Sequence, residues 1–282
     1  MFKTILIASD LSEASDAVIN RISELRPFGV QAVVLFYALG IRFLQGFNYR
    51  LEESVEPTLV KQKEALGALG FHATVVIRPG IPGEELHSVV AEENVSLIVL
   101  ASHAECMVNH LLFHRGGASP EVLHSHEKPI LLLPTRISGV NREGNAESPD
   151  RDIRGNILYA TDFSDSAQRA FDYLQGLVEE GCTRLTLLHV QNEATLRTET
   201  GEQLAALKES LIVKGAGHVQ MEIPYGDPAQ TILDHAKEGY TMIVMGSRGR
   251  GLIKGLFLGS VSDTIVRCVE IPILLVPSAR PT

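Results

Sequence analysis

The chain has 282 residues, 45% of them hydrophobic and 21% charged, with a formal net charge of −9. That balance suits a core-forming globular protein and supplies no global basic field, which argues against nucleic acid or an anionic membrane surface as a partner. Cys106, Cys182 and Cys268 are odd in number and share no metal-ligand spacing, so they read as small hydrophobes in a reducing cytoplasm rather than as a disulfide framework.

The first stretch, "MFKTILIASD", has an apolar run too short for a signal peptide, and no later run approaches the roughly eighteen residues of a membrane span. "TILIASDLSEAS" (Thr4–Ser15) opens as a strand buried on both faces. Ala14, Ala17, Val18, Ile22 and Leu25 then recur on one helical face, and Asp10 between the two reads as a helix cap. "VVLFYA" (Val33–Ala38) is a second strand. The aromatic stretch "IRFLQGFNYRLEE" (Ile41–Glu53) follows it in this half only, as a self-packed loop or a partner surface. A Gly80–Pro82 turn, the strand "LIVLAS" (Leu97–Ser102) and a last strand "KPILLLP" (Lys128–Pro134) complete the half. Between those strands lie His103, Cys106, His110, His114, His124 and His126. They read as scattered residues of a surface loop; the alternative is a metal pair from His110 and His114 on one helix face.

The polar, Gly/Asn/Ser/Pro-rich stretch Thr135–Gly155 lacks periodicity and reads as a linker. After it the pattern repeats. "NILYATDFSDSA" (Asn156–Ala167) matches Thr4–Ser15 with Asp162 in the place of Asp10, 152 positions on. "LTLLHV" (Leu185–Val190), the Gly226–Pro228 turn, "MIVMGS" (Met242–Ser247) and "IPILLVP" (Ile271–Pro277) follow in the same order. Five recurring runs predict a duplication, with domains at 1–137 and 155–282 and a linker at 138–154. Ala167, Ala170, Phe171, Leu174, Leu177 and Val178 form a helical face with Ser164 as its N-cap. Strand–helix alternation gives five strands and four helices per copy, wound into an α/β sheet of parallel strands. The short apolar last strands, each bounded by Pro, are expected to cover one another in a pseudo-dimer of the two copies, with a further homodimer open.

In such sheets a ligand sits beyond the carboxyl ends of the strands, where strand order reverses. The end of the first strand (Ala160–Ser164), the end of the second (His189, Val190) and the loop after the fourth would meet there. That loop, "MGSRGRGLIKGLFLGSVSDTIV" (Met245–Val266), has Gly246, Gly249, Gly251, Gly255 and Gly259 ahead of a helix opening with Ser260 and Ser262. Glycine permits positive φ and close approach to backbone N–H groups, and a helix start attracts anions. Arg248, Arg250 and Lys254 add positive charge, so a phosphate chain is the simplest ligand. The spacing fits neither a Walker A loop nor a dinucleotide fingerprint.

Gly246, two residues, Gly249, nine residues and Gly259-Ser260 resemble the phosphate loop of the ATP-binding branch of the universal stress protein family. The resemblance covers the chain as two tandem, doubly wound, Rossmann-like domains. It implies that Asp162 holds the adenosine part, that Ala160 and Thr161 line the approach, and that Val190 offers backbone to the adenine edge. Gly246, Gly249, Gly259, Ser260 and Val261 would wrap ribose and phosphates, Ser262 would add a hydroxyl, and Arg248 lies in range. The implied ligand is ATP, ADP or AMP, with Mg²⁺ or Mn²⁺ on the phosphates if ATP is bound. In the first copy Ala101 and Ala104 replace two glycines, Gly117 replaces Ser260 and Glu105 stands for Arg250, so one nucleotide per chain is expected, held by residues 156–282. The implied role is a nucleotide-binding regulatory protein of the stress response, cytoplasmic, with no catalytic residues: Met245–Ser262 contains no Glu, Cys or His, and Asp162 is the one carboxylate expected at the site. Hydrolysis would be slow and incidental. The alternatives are an ATP-dependent enzyme on the same fold and a nucleotide-free structural or chaperone-like dimer.

Overall fold

The computed structural model describes residues 1–39, 48–102, 128–134, 152–191, 198–249 and 258–278. The chain divides into two compact units, Phe2–Asp150 and Arg151–Thr282. The first holds β1 (Thr4–Ala8), α1 (Glu13–Arg21), β2 (Ala32–Leu39), α2 (Asn48–Ala68), β3 (His72–Pro79), α3 (Pro82–Glu92), β4 (Leu97–Ala101) and β5 (Ile130–Leu133). Its strands are parallel in the order β3-β2-β1-β4-β5.

The second unit holds β6 (Ile157–Ala160), α4 (Asp165–Glu179), β7 (Arg184–Leu188), α5 (Thr198–Val213), β8 (His218–Glu222), α6 (Pro228–His235), β9 (Met242–Gly246), α7 (Ser260–Cys268) and β10 (Ile273–Val276). Its parallel order is β8-β7-β6-β9-β10. The two halves keep one register: Ile5 faces Val33 and Leu97 as Ile157 faces Leu185 and Met242. The duplication is therefore one of residue-level pairing, and each unit is the expected doubly wound α/β sheet.

The apolar runs become strands because helices cover both faces of the sheet, so period-2 alternation is lost. All of β6 and β10 is buried. Tyr159 is 1% exposed and donates its hydroxyl to the Ala167 carbonyl at 2.7 Å, which ties β6 to the first turn of α4; burial pushes the phenol well above its ordinary range. Cys182 is buried with its thiol pushed up to about 12 by burial, so it packs as a hydrophobe. Cys268 departs from that expectation, because it lies exposed on α7. Cys106 and the five histidines near it lie outside the described residues.

Local signals are mostly met, with three differences. Ser164 is the N-cap of α4 and accepts from Ala167 N–H. In the first unit, however, the cap is Ser12 rather than Asp10. Asp10 braces that turn instead, its Oδ1 accepting from Ser12 N–H at 3.0 Å and from the Ser15 hydroxyl at 2.6 Å. The first helical face also breaks: α1 ends at Arg21 and Ile22–Phe28 continues as a 3₁₀ helix containing Pro27, whose missing amide suits the tighter winding. Ile22 and Leu25 stay buried. Lastly, Asn48–Glu53, read as part of an aromatic loop, begins α2; the buried face of Val55, Leu59, Gln62 and Leu66 anchors that helix. Among the described residues no helix is long and apolar enough to cross a membrane.

One ion pair links α6 to β8. His235 Nε2 lies 2.8 Å from Glu222 Oε2, and Nδ1 lies 2.8 Å from the Thr231 carbonyl. Both partners are acceptors, so the doubly protonated ring satisfies both. Burial opposes the charge, but the Thr231 carbonyl and the Glu222 carboxylate outweigh it and raise the pKa. A raised folded-state pKa gives stability that is complete below the ordinary value of about 6.5 and lost as pH rises through the folded value. Urea titrations across that window should show stability falling as pH rises, and His235→Ala should flatten the fall.

Candidate functional site

The carboxyl ends of β6, β7 and β9 and the start of α7 enclose a cavity of about 570 Å³ in the second unit. Strand order reverses between β6 and β9, so the loops after these strands part and leave a crevice. All eleven residues selected from the sequence line it: Ala160, Thr161 and Asp162 after β6, Val190 after β7, Gly246, Arg248 and Gly249 at β9, and Gly259, Ser260, Val261 and Ser262 at α7. Arg250 and Lys254, the loop's other two cations, lie outside the described residues.

The β6 end is a strained turn. Phe163 adopts φ 59°, in the left-handed region, and Leu11 does the same in the first unit at φ 64°. A non-glycine residue there costs about 1–2 kcal/mol, and the turn is held by Phe163 N–H donating to Thr161 Oγ1 at 3.0 Å and Ser164 N–H donating to Asp162 Oδ1 at 3.1 Å. This fixes the Asp162 carboxylate at the cavity wall.

The glycines also have a purpose inside the protein that the sequence did not suggest. Neither Gly246 nor Gly249 has φ in the left-handed region. A Cβ on Gly246 would stand 2.3 Å from Ser166 Oγ and 2.7 Å from Ala167 N, so glycine is required for β9 to pass the start of α4. A Cβ on Gly249 would stand 2.7 Å from Asp162 Oδ2. Close packing inside the protein selects both residues before any ligand is considered. The segment is then pinned: the Ser164 hydroxyl donates to the Arg248 carbonyl at 3.2 Å, and the Ser166 hydroxyl donates to the same atom.

The far end of the loop is tied back in turn. Ser247 carbonyl accepts from Gly259 N–H at 2.9 Å and from the Ser262 hydroxyl at 2.6 Å. The Ser262 hydroxyl, expected to face a ligand, spends its one hydrogen on the protein and so keeps only a lone pair to offer. Ser260 is exposed at the first position of α7, and no side chain caps that end among the described residues. The first-turn N–H groups and the helix dipole therefore face the cavity beside Arg248. Burial lowers the Arg248 pKa, yet a guanidinium starts so far above neutrality that it stays cationic.

Further lining residues escaped the sequence reading. Glu199, Thr200 and Gln203 come from α5, and Pro228 and Ile232 from α6. Glu199 corrects the expectation of a single carboxylate. It belongs to a helix with no recognisable motif, so no signal marked it. Phe163 and His189 also line the cavity and pack on one another, ring centroids 4.9 Å apart. Among the described residues no three His, Cys, Asp or Glu side chains come together as a metal cluster.

Two doubly wound units, the second with a cavity at its switch point, define a tandem α/β protein. The chain matches the universal stress protein family over residues 1–134 and 154–277, and it belongs to that family. It is 35% identical over 143 residues to universal stress protein YxiE of Bacillus subtilis, covering 43% of this chain and 97% of that one. It is 24% identical over 233 residues to a universal stress protein of Mycolicibacterium smegmatis, covering 76% of this chain and 74% of the other. The crystal structure of a universal stress protein from Archaeoglobus fulgidus superposes with a TM-score of 0.76 at 24% identity over 98% of both chains, a likeness of fold.

Gly246→Ala should lower the stability of the second unit by about 1–3 kcal/mol through overpacking. Ser166→Ala in the same chain should restore part of that loss, because it removes the nearest clashing atom. Chemical denaturation of the single and double variants measures both. Unchanged stability in Gly246→Ala would mean that β9 and α4 are not in tight contact.

Proposed function

We propose that the second unit binds one adenine nucleotide and that the chain is a nucleotide-dependent regulator in the stress response. One observation carries the reading: a single cavity joins a fixed carboxylate, Asp162, to an uncapped helix start flanked by a cation, Arg248. Phosphates suit the α7 N–H groups, Ser260 and Arg248. A ribose diol suits Asp162, whose carboxylate oxygens accept hydrogen bonds. The apolar wall of Val190, Pro228 and Ile232 suits the faces of a base. Gly249 and Gly259 keep the floor between these ends free of side chains. Any Mg²⁺ or Mn²⁺ would enter on the phosphates of ATP, with Asp162 and Glu199 as the cavity's carboxylates. The pairing of a cavity with no nucleophile–base arrangement among its described residues favours a signalling role over an ATP-dependent enzyme.

The first unit supports a single site per chain. Ser9 takes the place of Thr161 and donates to Gln62 Oε1 at 3.0 Å, and Gln62 in turn donates to Asp16 at 2.7 Å. Gln62 is 2% exposed and occupies the α2 position that Leu207 holds on α5. Ala101 ends β4 where Gly246 ends β9. A glutamine side chain thus bonds the end of β1, where the second unit has the apolar Leu207.

Titration with labelled ATP, ADP and AMP should saturate near one per chain, and mass spectrometry of the denatured protein should find an adenine nucleotide released. A value near two, or no binding of any of the three, refutes the reading. Asp162→Ala should weaken binding by about tenfold to a hundredfold, the loss of a charged hydrogen bond, as read by calorimetry.

A further inference from the structure

Resting on that nucleotide reading, we infer that His189 is a specificity residue: its Nε2 accepts a hydrogen bond from a donor on the nucleoside. His189 Nδ1 lies 2.8 Å from the Thr161 carbonyl oxygen. A carbonyl can only accept, so Nδ1 carries the hydrogen and the neutral ring keeps its lone pair on Nε2. The ring plane is fixed as well. Phe163 packs against it with a tilt of 36°, and the left-handed backbone of Phe163 sets that ring in place. His189 is half-buried, lines the cavity, and its Nε2 has no partner among the described residues.

The position of this acceptor matters. The α7 end of the cavity supplies N–H donors beside Arg248, whereas the β6–β7 end supplies Asp162, against which Gly249 packs, and His189 Nε2 as acceptors. An anionic tail satisfies the first end. The second end calls for O–H or N–H groups, and an acceptor half-withdrawn from water loses stability if the ligand brings none. Ribose hydroxyls and the 6-amino group of adenine are the two sources of such a donor. The first unit lacks the device: Tyr37 stands at the place of His189 and Leu11 at that of Phe163.

Calorimetry on the full chain tests this with ATP, 2′-deoxy-ATP, 3′-deoxy-ATP and inosine triphosphate, on unmodified protein and on His189→Phe. The variant keeps an aromatic ring against Phe163 but cannot accept. ATP should bind it about three- to tenfold more weakly, the range of one neutral hydrogen bond. One analogue, lacking the donor that Nε2 meets, should bind both proteins equally; a deoxy analogue places the donor on ribose and the inosine analogue places it on the base. If every analogue weakens by the same factor as ATP, Nε2 meets no ligand donor and the inference falls. If the unmodified protein binds no nucleotide, the functional reading itself has failed. Should the variant not fold, ¹⁵N-histidine spectra of unmodified protein decide: an Nε2 that already carries hydrogen near neutral pH, or one that ATP leaves unmoved, overturns the assignment.

Discussion

The second unit depends on the passage of β9 beside the first turn of α4. At Gly246 there is no space for even one carbon, since Ser166 Oγ and Ala167 N both lie within 3 Å of where it would stand. That closeness lets the Ser164 and Ser166 hydroxyls reach the Arg248 carbonyl, which sets the exit path of the loop. The path brings Gly249 against Asp162 and delivers the Ser247 carbonyl to Gly259 and Ser262 at the start of α7. The start of one helix therefore positions the start of another across the ends of the sheet, and the cavity is what remains between them. A side chain at Gly246 would push β9 from α4 and loosen each later contact in that series.

The two units show what the fold needs and what the cavity needs. Strand order and register are common to both, as is the strained turn at Leu11 and Phe163. Those features belong to the fold. The differences cluster beyond the strand ends. Ser15 stands where Ala167 lines the cavity and turns its hydroxyl on Asp10; Gln62 stands where Leu207 does and reaches Ser9. Each change gives a polar group after β1 a protein partner: the Ser15 hydroxyl donates to Asp10, and Gln62 accepts from the Ser9 hydroxyl. The first unit satisfies these groups internally, as buried polar groups require, and the same duplication can carry one open cavity beside one internally bonded strand end.

Much of this was legible in the sequence, for identifiable reasons. Runs such as "NILYA" and "PILLV" report burial on both sheet faces, and five of them in one order reveal the duplication. Ser164 was legible as a cap because capping is local. The loop glycines were legible by position but not by purpose: the atom that excludes a side chain at Gly246 belongs to Ser166, eighty residues earlier, and nothing in the spacing announces it. The same holds for Ser262, whose hydroxyl is drawn to a carbonyl fifteen residues away. Glu199, Thr200 and Gln203 were invisible, because a polar face on a surface helix looks the same whether it meets water or a cavity. Ser12 displaced Asp10 as the cap because an aspartate two residues ahead of a serine can brace the cap through its own acceptors.

The cavity's polarity follows from where its walls come from. Helix starts in a doubly wound sheet point their N–H groups at the carboxyl ends of the strands, so the α7 side is rich in donors whatever the side chains. The acceptor side has to be built from side chains, and that is where the strain lies. The left-handed turn at Phe163 holds the Asp162 carboxylate and packs the ring that orients His189, while the Thr161 carbonyl decides which imidazole nitrogen stays bare. Selection of an anion needs only the fold. In the proposed reading, selection among nucleosides that share a phosphate chain falls to the strained turn, because that is where the acceptors are placed by residues rather than by backbone direction. The first unit keeps the left-handed turn and the sheet register but has Leu11 and Tyr37 where the second has Phe163 and His189, so the fold persists without that pair of rings and the acceptor they orient is an addition to it.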